Sequence, residues 1–168
     1  MRAAKDLETI VTEYARMWGT LPYDKYVFLN MLTLTNGSAG GGLEHKSSAM
    51  LMDWRFATRS RQSYLSWLEL ASHEFFHAWN VKRIRPSPLG PFDYRRENHT
   101  RQLWTMEGVT SYYEKRFMTA AGLYSKERFH ERMAEEISSL QTQPGRGVQS
   151  LEQSSFDAWI KHYRPDEN

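Results

Sequence analysis

The chain reads as an α+β protein, mostly α-helical, with a small β region towards its N-terminus. Three observations predict that class. Apolar residues recur at three- and four-residue intervals over residues 3–18, 61–81, 101–121 and 126–140, the spacing of one helix face. Between the first two of these stretches, residues 26–35 form a run rich in Val, Phe, Leu and Thr bounded by turn residues, and residues 43–52 form a second run; both read as strands. Of 168 residues, 40% are apolar and 14% aromatic, a composition that folds around a core rather than remaining disordered.

In the first helix Leu7, Ile10, Val11, Tyr14 and Met17 form the apolar face, and Gly19 and Pro22 end it. The glycine-rich stretch at 36–42 is a connection through which backbone can approach a ligand closely, although a plain loop explains it equally well. Within the helix at 61–81, Leu68, Ala71, Phe75 and Trp79 make an apolar stripe. On the other side lies His73-Glu74-Phe75-Phe76-His77, an H-E-x-x-H motif. Residues four apart stack on one helix face, so the two imidazoles can grip one metal ion. Glu74 cannot comfortably ligate beside His73, but it can reach a water in the metal's open position, which is the role of a general base. Two hydrogen-bonded structural histidines are the plain alternative.

A metal held this way needs a third ligand. Glu107 stands 30 residues after His77, far enough for the chain to turn and send an antiparallel helix back across the metal. Ser111 and Glu114, one and two turns further on, share its face and are candidates to orient a histidine, though ordinary contacts between helices account for them as well. His130, among Glu127, Glu131 and Glu135, reads as solvent-facing. The stretch 143–147 interrupts the pattern, and a short helix is expected over 156–162.

The segment LWTMEGVTSYY, residues 103–113, resembles the third-ligand helix of the gluzincin aminopeptidases. HEFFHAWNVKRIRP, the later PFDY and GGLEHKSS are similar to the catalytic domain of the glycyl aminopeptidase family, whose longer members also carry a PDZ domain. The likeness runs from residue 41 to 113 and more loosely through Asp166. It implies a zincin, thermolysin-like catalytic domain in which His73, His77 and Glu107 hold Zn2+ and Glu74 is the base. It also implies that Gly41, Gly42 and Glu44 bind substrate on an edge strand, where backbone pairs with an extended peptide and a carboxylate holds its free α-amino group. A solvated strand glutamate is the other reading of Glu44, and His45 lies either near the substrate or on the strand's opposite face.

The activity implied is an aminopeptidase releasing small N-terminal residues, Gly or Ala, from peptides with a free N-terminus. A non-catalytic peptide-binding module is an alternative, although an intact Glu74 speaks against it. An endopeptidase of the same clan, which would not require Glu44, is another. The resemblance further implies one catalytic domain over residues 1–168, truncated at both ends. A β-rich domain is expected before it, a PDZ domain elsewhere in the full-length chain, and an oxyanion-stabilising tyrosine past Asn168, since Tyr163 does not match. Little activity is expected of such a fragment.

Composition adds limits. No cysteine occurs, so disulfides and thiolate ligands are excluded and a metal must be held by nitrogen and oxygen. That donor set favours zinc but also suits cobalt or manganese. A net charge of +2 does not call for nucleic acid. The cluster Lys82, Arg83 and Arg85 lacks interleaved aromatics, and cations at a helix C-terminus complement its dipole. No apolar run is long enough to span a membrane and the start lacks a signal peptide's apolar segment. Cytoplasm and periplasm both remain open.

Overall fold

Helix α1 (Arg2–Trp18) opens the computed structural model, which describes residues 2–34 and 40–162. Its apolar face buries Ile10 and Tyr14 almost completely, and Gly19 ends it in a left-handed conformation, φ 74°, that favours glycine. Met17 falls outside that face and is exposed. Trp18 takes its place, stacking on Trp79 with centroids 5.3 Å apart.

The sheet has the order β1-β3-β2, with β1 (Val27–Thr33) parallel and β2 (Gly41–Glu44) antiparallel to β3 (Ser48–Trp54). The single strand expected over 43–52 is thus two strands. His45, Lys46 and Ser47 turn the chain between them, and the His45 amide donates to the Ser48 carbonyl at 2.8 Å. His45 consequently sits in an exposed turn rather than on a strand face. Gly41 and Gly42 belong to β2, while Thr35, the end of the first expected strand, and residues 36–39 of the expected glycine-rich connection lie outside the described residues. Ala49 and Leu51 on β3 alternate into the core.

Helix α2 (Arg61–Phe76) is capped by the Ser60 hydroxyl, which accepts from the Ser63 amide at 3.0 Å. It is the central element and is buried on most sides. Leu68, Ala71 and Phe75 are at most 1% exposed, and burying a side chain the size of Leu or Phe contributes about 1.5–3 kcal/mol. Phe75 meets the Tyr14 ring edge-on at 5.0 Å, and the Tyr14 hydroxyl donates to the Ser72 carbonyl at 2.7 Å. The helix stops at Phe76 instead of continuing to residue 81. Beyond it the amides of Ala78 and Trp79 bond three residues back, to Phe75 and Phe76, which tightens the turn and still seats Trp79 in the core.

Helix α3 (Leu103–Ala120) follows an irregular connection, and Gly122, φ 68°, terminates it. Helix α4 (Lys126–Thr142), capped by Ser125, exposes His130 as expected and fully buries none of its residues. The helix expected at 156–162 is two short pieces, α5 (Leu151–Phe156) and α6 (Ala158–Lys161). A capping box between Ser150 and Gln153 starts α5 earlier than apolar spacing predicts. Among the described residues no helix is long and apolar enough to cross a membrane.

Candidate metal centre

Helices α2 and α3 run antiparallel, as three contacts show. Ser72 Oγ donates to the Glu114 carbonyl at 3.2 Å, Thr110 Oγ1 lies 3.5 Å from His77 Nδ1, and Asn80 Nδ2 donates to the Met106 carbonyl at 2.9 Å. This crossing brings His73, His77 and Glu107 together, one ligand atom from each lying within 4.8 Å of the others. The two Nε2 atoms are 3.1 Å apart, and Glu107 Oε2 is 3.2 Å from that of His73 and 3.6 Å from that of His77.

Each ring is aimed by its other nitrogen. His73 Nδ1 donates to Glu114 Oε2, and His77 Nδ1 donates to the Asn80 carbonyl at 2.7 Å. With both Nδ1 protons so used, two Nε2 lone pairs and a carboxylate converge on one point. That arrangement is repulsive unless something positive lies between them, and the donor set fits a divalent cation. The titration behaviour agrees. Burial opposes charge on His73, yet hydrogen bonds to Glu107 and Glu114 outweigh it and lift the imidazole to about 10. Burial would raise the Glu107 carboxyl, yet hydrogen bonds from both imidazoles take it down to about 2. The site attracts positive charge, and a metal ion meets that demand as a proton does.

Glu74 faces the same cleft, of about 410 Å³. Its Oε2 is buried without a hydrogen-bond partner among the described residues, and burial pushes its carboxyl up to about 7. Gly42 on β2 packs directly on this carboxylate, and a Cβ there would overlap it. The last residue of β2, Glu44, is paired with Lys82 Nζ at 2.9 Å. Leu89, Phe92 and Trp159 are among the other residues lining the cleft.

The sequence model of the M61 glycyl aminopeptidases matches residues 66–168. The chain belongs to the glycyl aminopeptidase family. A crystal structure of an aminopeptidase N family protein from Idiomarina loihiensis superimposes on 99% of this chain with a TM-score of 0.90 and 32% identity. The chain spans 29% of the length of that protein. No curated protein sequence matches it.

In this member of the family the structure assembles His73, His77, Glu107, Glu74, Gly41, Gly42 and Glu44 around one cleft. Of the two candidates for orienting a histidine, only Glu114 does so. Ser111 offers its backbone carbonyl to Lys115 Nζ at 2.9 Å, while the Nδ1 atoms of His73 and His77 are taken by Glu114 and the Asn80 carbonyl. Residues that sequence reasoning passed over include Asn80, whose carbonyl fixes His77, and Lys82, which pairs with Glu44 instead of merely facing the helix dipole. Arg83 is also committed within the fold, donating to the carbonyls of Ala78, Pro22 and Lys46. Trp159 reaches the cleft from α6, and no local pattern announces it.

Proposed function

We propose that this domain is the catalytic part of a zinc-dependent aminopeptidase releasing small N-terminal residues such as Gly or Ala. The observation that supports it most is the opening of two Nε2 atoms, the Glu107 carboxylate and the unpartnered Glu74 oxygen into one cleft bordered by an edge strand. His73, His77 and Glu107 would hold the zinc ion, which would supply Lewis acidity and lower the pKa of a water to about 7. Glu74, with its carboxyl near neutrality, takes the water's proton and returns it to the leaving amine.

Strand β2 is an edge of the sheet, so its outer side is available to pair with an extended peptide, and Gly41 and Gly42 keep side chains out of the way. Glu44 holds the substrate's α-ammonium. Its pairing with the Lys82 ammonium supports this reading, in which substrate binding exchanges one ammonium for the other. Fixing the amine selects the terminal bond for cleavage. The family name supports the preference for a small first residue. This reading also expects a β-rich domain, a PDZ domain and an oxyanion-stabilising tyrosine elsewhere in a longer chain.

The test is hydrolysis by the full-length protein of glycyl- and alanyl-p-nitroanilide and of the same compounds N-acetylated. Loss of a charge-assisted hydrogen bond makes the blocked compounds poorer by about 10- to 100-fold. Equal rates would point to an endopeptidase, and no cleavage of either to a binding module.

A further inference from the structure

Lys115 is 1% exposed, beside the metal centre but outside it. Its ammonium touches carboxylates from three helices: Glu114 of α3 itself, Glu136 of α4 at 2.7 Å and Glu69 of α2 at 3.6 Å. Glu69 stands one turn before His73 on α2, and it also accepts from Arg132 Nη2 at 2.8 Å and from the Tyr124 hydroxyl. These ion pairs tie α4, which fully buries no residue, to α2 and α3 beside the ring contact of Phe129 with Tyr112.

Stability alone is a poor reason to bury such a cluster, since apolar residues of similar volume often replace buried ion pairs at no loss. What an apolar side chain cannot do is occupy one oxygen of Glu114. That carboxylate bridges two groups, with Oε2 on His73 Nδ1 and Oε1 on Lys115 Nζ, so its plane and its charge are both fixed. Burial weakens the Lys115 charge, but Glu114, Glu136 and Glu69 more than restore it.

We propose that Lys115 is a positioning residue of the metal centre, holding Glu114 in the orientation that aims His73, with Glu69 and Glu136 anchoring Lys115 in turn. The proposal rests on the metal-centre reading and extends the site to α4, which lines no part of the cleft. Outer partners of metal-bound histidines typically change metal affinity by about 10- to 100-fold.

The experiment measures zinc affinity of the full-length protein by competition with a chromophoric chelator. Lys115→Met should weaken zinc by about 10- to 100-fold and also lower the melting temperature of the metal-free protein, because it leaves buried carboxylates without their cation; Lys115→Arg should restore most of the zinc affinity. In a Glu114→Gln background Lys115→Met should have no further effect, because both act through one carboxylate. Unchanged affinity in a folded Lys115→Met protein, or full additivity with Glu114→Gln, overturns the proposal. Should the methionine variant not fold, hydrogen exchange of the wild type decides. Zinc should slow exchange in the α4 segment around Arg132 and Glu136, and no change there overturns the proposal. Failure of the wild type to bind zinc would instead remove the metal-centre reading itself.

Discussion

His73, in the last turn of α2, and His77, its C-cap residue, stand one turn apart, yet their outer nitrogens rest on different supports. His73 leans on a carboxylate that belongs to a buried ionic network reaching α4, whereas His77 leans on the neutral carbonyl of Asn80. A charged support makes an imidazole more basic and depends on several side chains being present. A backbone carbonyl is supplied by the turn itself and survives the loss of almost any single side chain. The two halves of the centre should therefore differ in how easily mutation disturbs them.

The largest expected effect comes from the residue both imidazoles share. Glu107→Ala should abolish stoichiometric zinc binding at neutral pH, read by elemental analysis of the purified protein, and full retention of zinc would show that Glu107 is not a ligand. Glu74→Gln separates binding from chemistry. It should keep zinc near stoichiometric while kcat falls by about 10²- to 10⁴-fold, and loss of the metal would mean that Glu74 belongs to the ligand set.

Acidity gives the next effect. In the metal-free protein His73 titrates at about 10, so below that pH zinc must displace a proton from it. Zinc affinity should rise roughly tenfold per pH unit for each proton displaced, measured by chelator competition from pH 6 to 9. A flat profile would place the metal elsewhere. The metal-free fold has the opposite trend. The raised pKa of His73 contributes stability that is complete below its ordinary value of 6.5 and lost as pH rises through about 10. The carboxyl of Glu74, raised by burial, contributes in the same sense, complete below 4.5 and lost through about 7. Glu107 is depressed, so its contribution is complete above 4.5 and lost as pH falls through about 2. Melting of the metal-free protein should accordingly be highest in mildly acidic buffer and decline towards pH 10.

The comparison of the two supports is tested by the smallest pair of effects. Glu114→Gln should weaken zinc by about 10- to 100-fold. Asn80→Ala keeps the carbonyl and removes only the side-chain bonds to Met106 and Thr110, so it should cost about 1 kcal/mol of stability per neutral bond with little change in zinc affinity. Equal losses of affinity in the two variants would erase the distinction.

Much of this centre was legible in the sequence because helical spacing is a local property. The i, i+4 spacing of His73 and His77, and the length of chain before Glu107, pointed to three candidate ligands, and the fold brings an atom of each within 4.8 Å of the others. Gly42 and Glu44 were legible through the resemblance, although the strand that carries them is shorter than expected because residues 45–47 turn. The contacts that sequence reasoning missed are long-range. Lys115 meets Glu69 across 46 positions, and nothing near either residue announces the pairing. Asn80 escaped because its function lies in a backbone carbonyl, which every residue has; only the tightening of the turn after Phe76 gives it a role.

Anomalous scattering at the zinc edge, from crystals of the full-length protein grown with zinc, tests the metal centre most directly. The result expected is one strong peak about 2.0–2.2 Å from His73 Nε2, His77 Nε2 and a Glu107 oxygen, with Glu74 in the cleft but not coordinated. A peak elsewhere, or none between α2 and α3 at saturating zinc, would contradict the account.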